Sequence, residues 1–239
     1  FVSDTNYGWG PDSIGDRTDI GDWLEWFRGS ESDQYLEALY SSNENYTGNY
    51  TRLDNPDPDR ENEVILFKSC FPNSNLSGNP DDPPESGDPY SVGGAKFVYL
   101  DLLNTFATEP DKLFVVITAP PLTEDNSYEP PANARAFNNW LVNDWLADYP
   151  LDNVAVFDFY NVLTSNGGES HVNDLDSSDG NHHRWWQDEV QHIQTVDNDL
   201  ASYPTSDSHP NQAGNQKATA EFVPLLNVYY HRWRGESTK

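Results

Sequence analysis

Three short, unbroken apolar runs constrain this chain more than any other feature: Val64-Ile65-Leu66-Phe67, Leu113-Phe114-Val115-Val116-Ile117-Thr118 and Val154-Ala155-Val156-Phe157. None shows the polar alternation of a strand with one wet face, so each predicts a strand buried on both sides. Between and after them, residues 94–108, 132–149 and 212–233 carry apolar side chains at three- and four-residue spacings, as covering helices do. Strand and helix repeated in this order predict an α/β fold with a parallel sheet and right-handed crossovers, in which ligands collect at the carboxyl ends of the strands. Phe1-Val2-Ser3 predicts the end of another strand, followed by the glycine turn Gly8-Trp9-Gly10 and a short helical region from Asp22 to Tyr40.

Segments 43–63, 75–89 and 164–204 are rich in Asp, Asn, Ser, Pro or Gly and predict long acidic surface loops. There is no internal repeat and no clear linker, so residues 1–239 are read as a single domain.

A net charge of -27 sets the partners that the surface can take. Such a surface repels nucleic acid and anionic membrane, and no apolar run approaches the roughly 18 residues that span a bilayer. It suits an extracellular or secreted setting rich in divalent cations, with the cytoplasm of a salt-accumulating halophile as the alternative, because screening removes the repulsion. Asn45-Tyr46-Thr47, Asn49-Tyr50-Thr51 and Asn75-Leu76-Ser77 are glycosylation sequons, relevant if the chain is secreted by a cell that glycosylates. The single cysteine, Cys70, has no intrachain partner and reads as a buried apolar filler.

Ser206-Asp207-Ser208-His209-Pro210-Asn211 immediately precedes the last amphipathic run. Asp207 and His209 are two apart, so in an extended segment both leave the same face, and the carboxylate can hold one ring nitrogen while the other stays available as a base. Pro210 suits a turn or a first helical position, and Asn211 is a helix cap. After the run at 64–67, Asn73 can present amide hydrogens to a developing oxyanion, and a glycine amide at Gly8 or Gly10 can approach a ligand closely.

A strand followed by glycine, a strand followed by asparagine, and Asp-x-His-Pro before the final helix together resemble the SGNH hydrolases, the GDSL-like esterases and lipases. Phe114 to Pro121, ending Thr118-Ala119-Pro120-Pro121, resembles that family's fourth strand and its loop. The resemblance implies a flavodoxin-like three-layer sandwich around a central parallel sheet, with no cofactor and no metal. It implies His209 as general base, Asp207 as the carboxylate that orients it, and Asn73 with the Gly10 amide as oxyanion donors. The family's acid stands three residues before its histidine, where this chain has Ser206, and Phe71 occupies the glycine position of the asparagine block. No Gly-Asp-Ser block precedes Gly10. The nucleophilic serine and the first strand are therefore expected in residues before Phe1, or the strand is donated by another segment or a neighbouring subunit.

The function expected on this resemblance is removal of acyl or acetyl groups from a carbohydrate or small lipid by an acyl-serine route. The alternative is a non-catalytic secreted protein of the same fold, acting as a sugar-binding, adhesive or filament-forming subunit. Other motifs point elsewhere less well. Gly8, Gly10 and Gly15 miss the dinucleotide spacing, and neither Asp54, Asp57 and Asp59 nor Asp174, Asp176 and Asp179 form a calcium loop. His171, His182, His183 and His192 lack a rigid metal spacing and read as exposed or packing residues. Trp185 and Trp186 are positioned to stack on sugars, whereas Trp23 and Trp26, at helical spacing, read as core.

Overall fold

The computed structural model describes residues 10–11, 19–42, 59–164, 181–194 and 198–236. The expected strand at Phe1-Val2-Ser3, Gly8, both acidic aspartate sets apart from Asp59, His171 and the two sequons at 45–51 lie outside these residues.

All three apolar runs form strands: β1 (Val64–Phe67), β2 (Leu113–Ile117) and β3 (Val154–Phe157). They make a parallel sheet in the order β1-β2-β3, with Val64 opposite Leu113 and Phe114 opposite Val154. Helices cover both faces, so the described residues form an α/β arrangement. Ile65, Phe114, Val116, Val154 and Val156 pack against α1 (Ile20–Arg28), α3 (Val92–Phe106) and α4 (Pro131–Asn143). Leu113, Val115, Ala155 and Phe157 pack against α5 (Phe159–Thr164) and α6 (Gln212–Trp233). Burial of β2 on both sides accounts for its uninterrupted apolar sequence.

Several boundaries differ from expectation for visible reasons. Residues 22–40 form two helices, because the chain breaks at Gly29 before α2 (Ser32–Ser41). α3 starts two residues early, since the Ser91 side chain accepts the Gly94 N–H and caps it. α4 stops at Asn143, six residues short. Asp144 and Trp145 both donate their backbone N–H to the Trp140 carbonyl, and the buried Trp145 indole bonds the Tyr99 carbonyl at 2.9 Å. Pulling Trp145 into the core takes the chain off the helical path. Cys70 is half-buried rather than enclosed.

The largest correction concerns 164–204, read as one surface loop. It contains an antiparallel hairpin, β4 (His183–Trp186) and β5 (Glu189–His192). Its turn residues Gln187 and Asp188 have φ of 53° and 63°. That is the left-handed pair a two-residue hairpin needs, made here without the usual glycine.

The two edges of the sheet differ. On β1, no described strand pairs with the outer side, and Leu66 is 42% exposed. On β3, Asn153 and Phe157 turn their carbonyls to β2, so Val154 and Val156 point theirs outward. Side chains meet that outer row in turn: Arg232 bonds the Val154 carbonyl at 3.2 Å and Tyr229 the Val156 carbonyl at 2.5 Å. The Asp158 N–H that follows donates to His183 Nε2 at 2.9 Å.

α6 occupies the whole predicted range, 212–233. The Asn211 side chain accepts the Gly214 N–H at 3.0 Å, and a Cβ at Gly214 would meet Tyr203 Cβ at 2.8 Å, so only glycine seats the helix this close. Asn211→Ala is expected to cost about 1 kcal/mol in urea denaturation, the usual value of an N-cap, with the fold retained. No change in midpoint would show that the cap carries no weight.

Candidate functional site

The loops after β1 and β2 and the loop before α6 meet at the carboxyl end of the sheet. Ser208 makes the junction. With φ of 72° and a buried side chain, its Oγ accepts from the Thr123 N–H at 3.0 Å and from Asn126 Nδ2 at 2.7 Å. Thr205 N–H closes the loop on the His209 carbonyl, and Pro204 bridges Pro210. Turning Ser208 inward drives its two neighbours outward.

Asp207 and His209 are therefore paired at the surface: Asp207 Oδ1 lies 3.1 Å from His209 Nδ1, with side-chain exposures of 67% and 59%. The pairing matches the sequence expectation, but a left-handed turn rather than an extended segment produces it. Asp207 also accepts from Thr205 Oγ1 at 2.5 Å and from the His209 N–H at 3.3 Å. The Thr205 bond first, then the two bonds from His209, hold its carboxyl down at about 2. The His209 ring meets Phe71 edge-on, with centroids 5.0 Å apart and planes at 89°.

Phe71 opens the one-turn helix Phe71–Ser74 that follows β1, and Asn73 is on that turn. Asn73 thus shares the end of the sheet with His209. Its side chain is turned inward: it is 0% exposed, and Nδ2 lies 3.2 Å from the Tyr99 hydroxyl. Burial pushes the Tyr99 phenol far above its usual range, so that oxygen keeps its proton. Asn73 Oδ1 is buried without a hydrogen-bond partner among the described residues. Half a turn of the amide exchanges these roles: Tyr99 donates to Oδ1, and the amide hydrogens are released in the opposite direction. Gly10 is exposed with φ of 79°, and no described contact links it to His209 or Asn73.

A second polar cluster, unread in the sequence, lies beside the carboxyl end of β3. Buried Glu221 of α6 accepts from His182 Nδ1 and His183 Nδ1, both at 2.9 Å, and from the His183 N–H at 3.2 Å. Burial alone would raise its pKa, but the bonds and charge of the two histidines outweigh burial and hold it at about 2. Asp158 is also buried. Loss of solvent raises its carboxyl, a shift that His183 and the Asn161 N–H only partly offset. Asp158 Oδ2, His182 Nε2 and His192 Nδ1 have no partners among the described residues. These atoms do not converge, and no group of three or more His, Cys, Asp or Glu among the described residues could hold a metal ion.

Trp23 is core, and Trp26 packs partly buried against it. Trp186 is exposed under the Arg184 guanidinium, 5.5 Å from the ring. No described helix is long and apolar enough to cross a membrane. Comparison with protein-family models, with curated proteins and with solved structures finds no match to this chain.

Proposed function

We propose that this chain is an ester hydrolase of the SGNH type, removing acyl or acetyl groups from a carbohydrate or small lipid, on a flavodoxin-like sheet. The observation that carries the reading is the exposed Asp207–His209 pair at the carboxyl ends of the parallel strands, with a 3.1 Å contact to Nδ1 that leaves Nε2 for a substrate-side proton. Asp207 fixes the tautomer and ring orientation. Nε2 takes the proton of a serine outside the described residues as the serine oxygen attacks the ester carbonyl. The resulting imidazolium returns that proton to the departing alcohol oxygen, and water then cleaves the acyl-serine by the same route. Oxyanion stabilisation falls to the Asn73 amide, in its turned orientation, and to the Gly10 backbone N–H.

One observation favours a second reading, a non-catalytic sugar-binding, adhesive or filament-forming subunit: the Asn73 amide is buried against Tyr99. Turnover of p-nitrophenyl acetate by the native protein, with and without a serine-directed phosphonate, separates the two. The hydrolase reading expects turnover, its loss on treatment, and one phosphonylated serine in the peptide map. Neither turnover nor label would leave the scaffold reading.

A further inference from the structure

We propose that the β4–β5 hairpin is an acid-released strap, latched over the edge of β3 by its histidines and let go when His192 takes up a proton. The latch consists of three imidazoles, His182 and His183 buried and His192 partly buried. His183 stacks on Phe157, centroids 4.8 Å apart at 18°, and is saturated at both nitrogens: Nδ1 faces Glu221, and Nε2 accepts the Asp158 N–H. A second proton on this ring would set two N–H groups head to head at 2.9 Å and break the bond that ties the strap to the end of β3. His192, across the hairpin, stands edge-on to His183 at 5.2 Å, its Nδ1 enclosed without a described partner. His182 completes the set, with Nδ1 on the other Glu221 oxygen.

The charges facing this set are Glu221 and Arg232 from α6, Asp158 after β3, Arg135 from α4, whose field reaches Asp158, and Asp152, Asp188 and Glu189 around the cavity beside His192. Glu221 is engaged by His182 and His183, Asp158 is biased by burial toward its neutral form, and His192 Nδ1 has no hydrogen-bond partner among the described residues. A proton on His192 therefore places positive charge against His183 in a partly buried space, which opening to water relieves. Away from the histidines the strap is lightly held. Arg184, Trp186, Asp188 and Glu189 are exposed, and among the described residues the further ties to the body are Asn161 Nδ2 to the Ile193 carbonyl, Gln194 Nε2 to Asn139 Oδ1 at 2.9 Å and the packing of Val190 on the core. Beside it lies a half-open cavity of about 360 Å³ lined by Asp188, Val190 and His192 of the strap with Asp152, Tyr229 and Arg232.

The sign follows from His192. Burial first, and His183 second, push its pKa from 6.5 down to about 3, so the closed strap binds fewer protons than the open one between these values. Closure is strongest above pH 6.5 and weakens as pH falls toward 3, by up to about tenfold in the opening equilibrium per pH unit for one linked proton. Amide hydrogen exchange of the native protein, corrected for intrinsic rates, tests this at pH 6 and pH 4. Exchange across residues 183–192 should rise by about 10- to 100-fold while β2 stays protected. His192→Phe, which keeps an aromatic edge against His183 but cannot titrate, should flatten the rise. A flat wild-type profile, loss of β2 protection at the same pH, or an unaltered slope in His192→Phe would each overturn the proposal. If His192→Phe does not fold, the wild-type comparison of strap against β2 decides alone.

Discussion

Ester turnover by His209→Ala is expected to fall on the order of 10⁴-fold or more, with urea midpoint and circular dichroism unchanged. The two halves of this expectation come from different properties. The imidazole is more than half exposed, paired with the exposed Asp207 and edge-on to Phe71, so its removal leaves no enclosed cavity. On the proposed mechanism, loss of the base disables proton removal from the serine nucleophile, and Asp207 alone cannot replace it with a carboxyl held at about 2. Asp207→Asn should lower turnover by a comparable factor, because a neutral amide no longer fixes the tautomer that presents Nε2. Activity persisting in His209→Ala within tenfold of the parent would remove this loop from the chemistry.

The largest effect on stability is expected at Phe114. Its side chain is fully buried on the central strand, stacked on Phe106 with centroids 4.1 Å apart, in the cluster that joins the sheet to α1, α3 and α4. Phe114→Ala should cost about 3–5 kcal/mol, from the lost apolar transfer and from a cavity that the flanking aromatic rings cannot collapse into. In a chain of this size that lowers the melting temperature by roughly 10 °C. Calorimetry checks it, and Phe114→Leu, expected to lose less, covers the case in which alanine prevents folding. A cost below about 1 kcal/mol for alanine would mean that this face of the sheet is loosely packed.

What the sequence disclosed follows from which residues answer to local rules. The strands at 64–67, 113–117 and 154–157 were legible because burial on both faces leaves nothing polar in them. The range of α6 was legible because Asn211 caps it and apolar residues keep helical spacing on both sides of Glu221 and Pro224. The Asp207–His209 pair was legible from proximity in the chain, although Ser208, by adopting a left-handed conformation and burying its hydroxyl, replaced the extended geometry assumed for it. The hairpin was not legible. Its Gln187-Asp188 turn lacks glycine and asparagine, and it sits in polar surroundings that resemble a loop. Glu221 was invisible for a different reason: it takes a buried position of α6 between Ala218 and Leu225, and its partners are 38 and 39 positions earlier in the chain. Asn73 illustrates the reverse case. A turn asparagine after a strand signals an exposed donor, and the hydroxyl of Tyr99, 26 residues away, draws it inward instead.

The outer row of β3 carries a consequence for self-association. With Arg232 and Tyr229 seated on its outward carbonyls and an imidazole on the next amide, no foreign backbone can register there without first displacing groups from α6 and the hairpin. Polymerisation by strand stacking is thereby closed at one end of the sheet, and growth of that kind would have to start from the flank bearing Leu66.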